Sequence, residues 1–109
     1  MSTDSGAYQP FPPEFRPSLA AVASALGEVK RWRILSELSV GEALMVKELA
    51  ERIGISADLT SRHLARMRVA GLVVSGRGRL YEIPKKYLPV PGQRIVDYGH
   101  CLLRLDATQ

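Results

Sequence analysis

Apolar residues recur along this chain first at helical and then at strand spacing, and the change falls at Gly71. After Ser18, a residue suited to capping a helix, Leu19, Val22, Ala23 and Leu26 form one buried stripe, which Gly27 interrupts. Helical periodicity resumes from Val29 to Leu38, with Ile34, Leu35 and Leu38 inward and Lys30, Arg31 and Arg33 outward. Trp32 reads as core or interface filler, and Ser39 to Leu44 as a loop. A third helix starts near Val46, burying Val46, Leu49, Ala50 and Ile53 and leaving Lys47, Glu48, Glu51 and Arg52 wet; Gly54 closes it. Ser56 caps a fourth, in which Leu59, Leu64 and Met67 point inward and Thr60 is half buried. Asp58 sits in its first turn, where the helix dipole favours a carboxylate.

Beyond Gly71 the pattern is that of strands. Leu72-Val73-Val74-Ser75 and Leu80-Tyr81-Glu82-Ile83 flank Gly76-Arg77-Gly78-Arg79, so two short strands make a hairpin with a basic tip. Pro84, Pro89, Pro91 and Gly92 exclude a long helix after it. Arg94 to Leu105 reads as one strand bulged at Gly99 or as two short strands, apolar on both faces and therefore covered on both.

Two short helices joined by a tight turn at Gly54, the second carrying arginines, are the parts of a helix-turn-helix DNA reader. The basic hairpin that follows suits a wing able to track phosphates. The expected fold class is α+β, mainly helical: a winged helix-turn-helix with a short β-hairpin wing and a C-terminal β extension. Residues 1–16, with Pro10, Pro12 and Pro13, read as a mobile N-terminal arm. Residues 17–88 read as the DNA-binding domain and residues 89–109 as a C-terminal β segment that dimerises the protein.

Composition agrees with one small domain. A chain of 109 residues can bury a core without a metal or disulfide staple, and Cys101 is its single cysteine. Nothing from Met1 to Gly6 reads as a secretory leader, and no window approaches the ~20 apolar residues of a membrane span, so a cytoplasmic protein with no membrane partner is expected. The net charge is only +4, but its placement is uneven. Residues 62–86 hold Arg62, Arg66, Arg68, Arg77, Arg79, Lys85 and Lys86 against Glu82 alone, a local cationic face suited to a polyanion.

Particular motifs then resemble a family. Ala25 to Leu35, Glu48-Leu49-Ala50, Ser61-Arg62-His63-Leu64 and Ala70-Gly71-Leu72-Val73 are similar to the marks of ArsR-type winged-helix transcriptional regulators, over residues 19 to about 83. The resemblance implies a prokaryotic cytoplasmic regulator, usually a homodimer, with residues 56–69 as recognition helix. It places Ala57 and Asp58 near base edges and Ser61, Arg62 and His63 on phosphate or bases. With Ser56, Arg66 and the wing residues Arg77 and Arg79, these make the expected nucleic-acid-binding set. The chain departs from the family pattern at Ala57 and Asp58, where longer polar residues are common, and in its tail, where a β segment replaces a dimerisation helix. That tail (Ile95, Val96, Tyr98, Leu102, Leu103 and Leu105) is expected to pack on a partner subunit's Leu19, Val22, Leu26 and Trp32.

Other chemistries find little footing. Metal sensing needs clustered soft ligands, yet Leu44 to Gly54 contains no cysteine, and His100 and Cys101 would diverge if both lay on one strand. No metal and no cofactor are expected. Ser61 and His63 are two apart on a helix and do not face each other, and no Gly-rich loop carries a Lys-Ser or Lys-Thr pair, so no enzyme is expected. The leading reading is a sequence-specific, homodimeric repressor partnered by double-stranded DNA. The alternative is a winged-helix interaction module binding a protein or RNA, which the small Ala57 and acidic Asp58 favour.

Overall fold

The computed structural model describes residues 17–90 and 92–105. The arm expected over residues 1–16 lies outside the described residues, as does the side chain of Arg77. Helix α1 spans Leu19–Ala25, its Ser18 hydroxyl accepting from the Ala21 N–H at 3.1 Å. Helix α2, Val29–Leu38, starts at Glu28, whose carboxylate accepts from the Lys30 N–H at 3.1 Å. That bond to the backbone holds the Glu28 carboxyl below its ordinary range. Helix α3, Val46–Ile53, ends at Gly54, and helix α4, Ala57–Val69, follows after a short turn. One core joins all four: Val22, Ile34, Leu35, Leu38, Leu49, Ile53, Leu64 and Met67 are buried together.

Strand β1, Leu44–Met45, falls where a loop was expected. It pairs antiparallel with β3, Leu80–Glu82, setting Leu44 against Tyr81, while β2, Val74–Ser75, pairs with the other edge of β3. The hairpin is thus the larger part of a three-stranded sheet, in the order β1-β3-β2, tied to the front of α3.

The C-terminal segment forms a second hairpin, β4 (Ile95–Asp97) with β5 (Leu102–Arg104), so the two-strand alternative holds. It corrects part of the expected dimer surface. Val96, Tyr98, Leu103 and Leu105 are buried in the chain's own core, together with Val22 of α1. The Tyr98 hydroxyl donates to the Leu72 carbonyl at 2.9 Å, and its ring lies 5.0 Å from that of Tyr87. Arg94 donates to the Ser36 carbonyl of α2. The apolar positions demanded a cover, and the chain's own helices and hairpin supply it. Leu26, Trp32 and Ile95 are half-buried; Leu19 and Leu102 stay 56 % and 57 % exposed.

Candidate nucleic-acid interface

Helix α4 is oriented by the stripe it buries. Thr60, His63, Leu64 and Met67 recur three and four apart, so one face docks on the core and the opposite face is left to solvent. At its start, the Ser56 hydroxyl accepts from the Leu59 N–H at 3.1 Å, and the buried Thr60 hydroxyl donates to the Ser56 carbonyl at 2.8 Å. At its end, the Gly71 N–H donates to the Arg68 carbonyl at 3.0 Å and the Leu72 N–H to the Met67 carbonyl at 2.9 Å. That paired closure requires a left-handed residue, and Gly71 supplies it at φ 86°. Chain direction therefore reverses abruptly into β2, which brings the first hairpin alongside the exposed face of α4.

The result is a cleft of about 580 Å³ between α3, α4 and the hairpin. Ala57, Asp58 and Ser61 line it from α4, and Ser75, Arg79 and Tyr81 from the hairpin. Met45, Val46 and Lys47 close the third side. The tip is held by the Gly76 N–H, which donates to the Leu80 carbonyl at 2.9 Å. Arg79 adopts φ 61°, a left-handed conformation that a side chain rarely takes and glycine takes freely. Helix, turn, helix and basic hairpin stand in this order around one concave surface.

The domain is a winged helix. Residues 28–79, from the cap of α2 to the wing tip, match the model of the MarR family. The chain is similar to the HTH-type transcriptional regulator YgaV of Escherichia coli (strain K12), with 45 % identity over 58 residues, 53 % of this chain and 59 % of that protein. It is also similar to the nodulation protein NolR of Rhizobium meliloti, with 38 % identity over 72 residues, 63 % of this chain and 58 % of that protein. The chain thus spans less than three-fifths of the length of either curated relative. No solved structure matches it significantly. The matching family model is MarR, so the winged-helix regulator likeness is supported and the ArsR subtype is not.

The winged helix gathers only part of the expected contact set. Ala57, Asp58, Ser61 and Arg79 share the cleft, with Ser56 exposed just before α4. Arg62 is exposed beside them and pairs with Asp58, Nη2 to Oδ2 at 3.5 Å. Arg66 lies elsewhere, lining a depression of about 480 Å³ between α1 and the second half of α4. Lys47 and Tyr81 were missed as cleft residues. Lys47 follows from its place in the first turn of α3, but Tyr81 could be found only through the pairing of β1 with β3.

His63 is corrected outright. It is 7 % exposed, and its Nδ1 accepts a hydrogen bond from Arg31 Nε at 3.2 Å, so it faces α2 instead of the cleft. Arg31, expected to point outward, also donates to the Ala25 carbonyl at 2.9 Å, where it satisfies the C-terminal end of α1. Burial and then the Arg31 charge push the His63 imidazole below its ordinary range, with Glu28 opposing. Both effects favour the neutral ring that the Arg31 hydrogen bond requires.

The tail donors also differ from expectation. His100 and Cys101 lie in the β4–β5 turn, not on a strand, and the Asp97 carboxylate accepts from the Gly99 N–H at 2.8 Å. Burial, then Asp97, pushes the Cys101 thiol upward, which keeps it protonated and poorly nucleophilic. Among the described residues no group of three or more His, Cys, Asp or Glu is placed to hold a metal. Nor is any described helix long and apolar enough to cross a membrane.

Proposed function

We propose that this chain is a sequence-specific DNA-binding transcriptional regulator, with α4 in the major groove and the wing on the backbone. The observation that carries the reading is the shared cleft: exposed polar groups of α4 and the basic wing tip converge on one surface of a winged helix. The name of YgaV, a transcriptional regulator, supports the same reading. The finer assignment is a cytoplasmic, prokaryotic homodimeric repressor that occludes its site, without enzymatic activity. Its ArsR-type character rests on Ser61-Arg62-His63-Leu64 and Ala70-Gly71-Leu72-Val73. With the tail packed inward, the dimer surface narrows to exposed apolar residues such as Leu19 and Leu102. Two copies would set their α4 helices about 34–36 Å apart on a near-palindromic site.

A second reading, an interaction module for a protein or RNA, draws on one feature, the carboxylate of Asp58 on the exposed face of α4. Titrating salt against binding to labelled duplex separates the two. Each phosphate neutralised adds about 0.9 to the steepness of log K against log[salt]. A steep fall with salt, plus preference for particular duplexes, supports the regulator. Absence of duplex binding at low salt refutes it and leaves the module.

A further inference from the structure

We propose that Asp58 and Arg62 act as one unit that reads a C·G base pair, Asp58 accepting from cytosine and Arg62 donating to guanine. The inference rests on the DNA-binding reading and deepens it. Asp58 stands in the first turn of α4, in the part of a recognition helix that meets base edges, and its side chain is 86 % exposed. A carboxylate only accepts hydrogen bonds, and phosphate repels it, so in a major groove it can meet favourably only an exocyclic amino group. Cytosine N4 and adenine N6 are the two available.

The ion pair decides between them. Arg62 Nη2 lies 3.5 Å from Asp58 Oδ2, one helical turn along the same face, so acceptor and donors stand side by side. A C·G pair offers the complement in matching order: the N4 donor at one side, then O6 and N7 of guanine as two adjacent acceptors. An A·T pair places its N6 donor between two acceptors, so one of them always faces the carboxylate. Ala57 and Ser61, the small neighbours of Asp58 in the cleft, leave the pair room to approach a base edge. Arg62 also screens Asp58 from the phosphates. The departure at Asp58 is thereby a specificity device, and not a defect in a basic face.

The test is selection from a random duplex pool with the full chain and with Asp58→Asn, which keeps size and exposure. The wild-type chain is expected to enrich a C·G pair at one position of its site, and replacing that pair should weaken binding about 5- to 150-fold. Asp58→Asn should lose that preference and shift the position toward adenine, which an amide reads through N6 and N7, while other positions hold. Identical sequences selected by both proteins would overturn the proposal and leave the DNA-binding reading intact. So would a uniform gain in affinity for every duplex, since Asp58 would then be only a repulsive charge. Failure of both proteins to enrich any duplex would overturn the reading beneath it.

Discussion

Removing one hydroxyl, that of Tyr98, tests whether the C-terminal hairpin belongs to its own domain. Tyr98 is fully buried, and its hydroxyl donates to the Leu72 carbonyl at 2.9 Å across 26 residues of sequence. Burial, then Tyr87 and Cys101, pushes the phenol far above the ordinary tyrosine range, so the donor stays protonated at any working pH. In Tyr98→Phe the ring keeps its place against Tyr87, and the Leu72 carbonyl loses its donor in a site water does not reach. An acceptor left so costs about 1–3 kcal/mol. For a domain of this size, each kcal/mol lowers Tm by about 4–8 °C. Urea unfolding should show the midpoint reduced by about 1 M with its slope unchanged, since the surface exposed on unfolding is the same. The loss should also be independent of protein concentration, because donor and acceptor share one chain. A loss below about 0.5 kcal/mol, or one seen only at concentrations where copies associate, would refute the docking of the tail on its own domain.

Three further outcomes follow from the same packing. Deleting residues 90–109 removes Val96, Tyr98, Leu103 and Leu105 from the core, and burial of such side chains contributes about 1.5–3 kcal/mol each, comparable with a whole domain's stability. Circular dichroism should show an unfolded chain, and a folded monomer would contradict the core described above. Because the His63 imidazole is held below the 6.5 of a free ring, the folded state binds fewer protons than the unfolded one. Stability is therefore full above 6.5 and should fall as pH drops through 6.5 toward the depressed folded value; urea midpoints at pH 7.5 and 5.5 should differ, and His63→Gln should flatten the difference. Arg79→Gly relieves the φ of 61° at the wing tip, so stability should hold within about 1 kcal/mol while duplex affinity and its salt dependence decline; unchanged affinity would remove the tip from the interface.

What could be read from sequence depended on how local its cause was. Ser18 and Ser56 cap helices through bonds to residues three positions on, and the reversal at Gly71 depends on one backbone angle, so these were legible. Strand β1 was not, because two residues become a strand only by pairing with β3, far along the chain. His63 carried a readable signal, its spacing from Thr60, Leu64 and Met67, but its place in a basic motif outweighed it. Arg31 misled for another reason: a long side chain can leave its helix face and return to carbonyls on the preceding helix. For the tail, periodicity demanded burial without naming the cover. Apolar residues pack as well against their own subunit as against a partner, and only the fold decides between them.

The wing's position is fixed from behind the reading surface. Gly71 turns the chain out of α4, and the next residue, Leu72, is held at both backbone groups: its N–H donates to Met67 and its carbonyl accepts from Tyr98. Leu72 and Val73 are themselves buried, so the strand leaving them has little freedom to swing. On the far side, β1 ties β3 to the start of α3, where the Met45 N–H donates to the Glu48 carboxylate at 2.9 Å. The wing is therefore clamped between the C-terminal hairpin and the front of α3, and the separation of Arg79 from Asp58 is inherited from those clamps. A winged helix whose wing hung from the recognition helix alone would have to order it on binding, at the entropic cost of each residue fixed. Here the wing's base is ordered during folding, because Leu72 and Val73 are buried and Tyr98 of the C-terminal segment holds the Leu72 carbonyl.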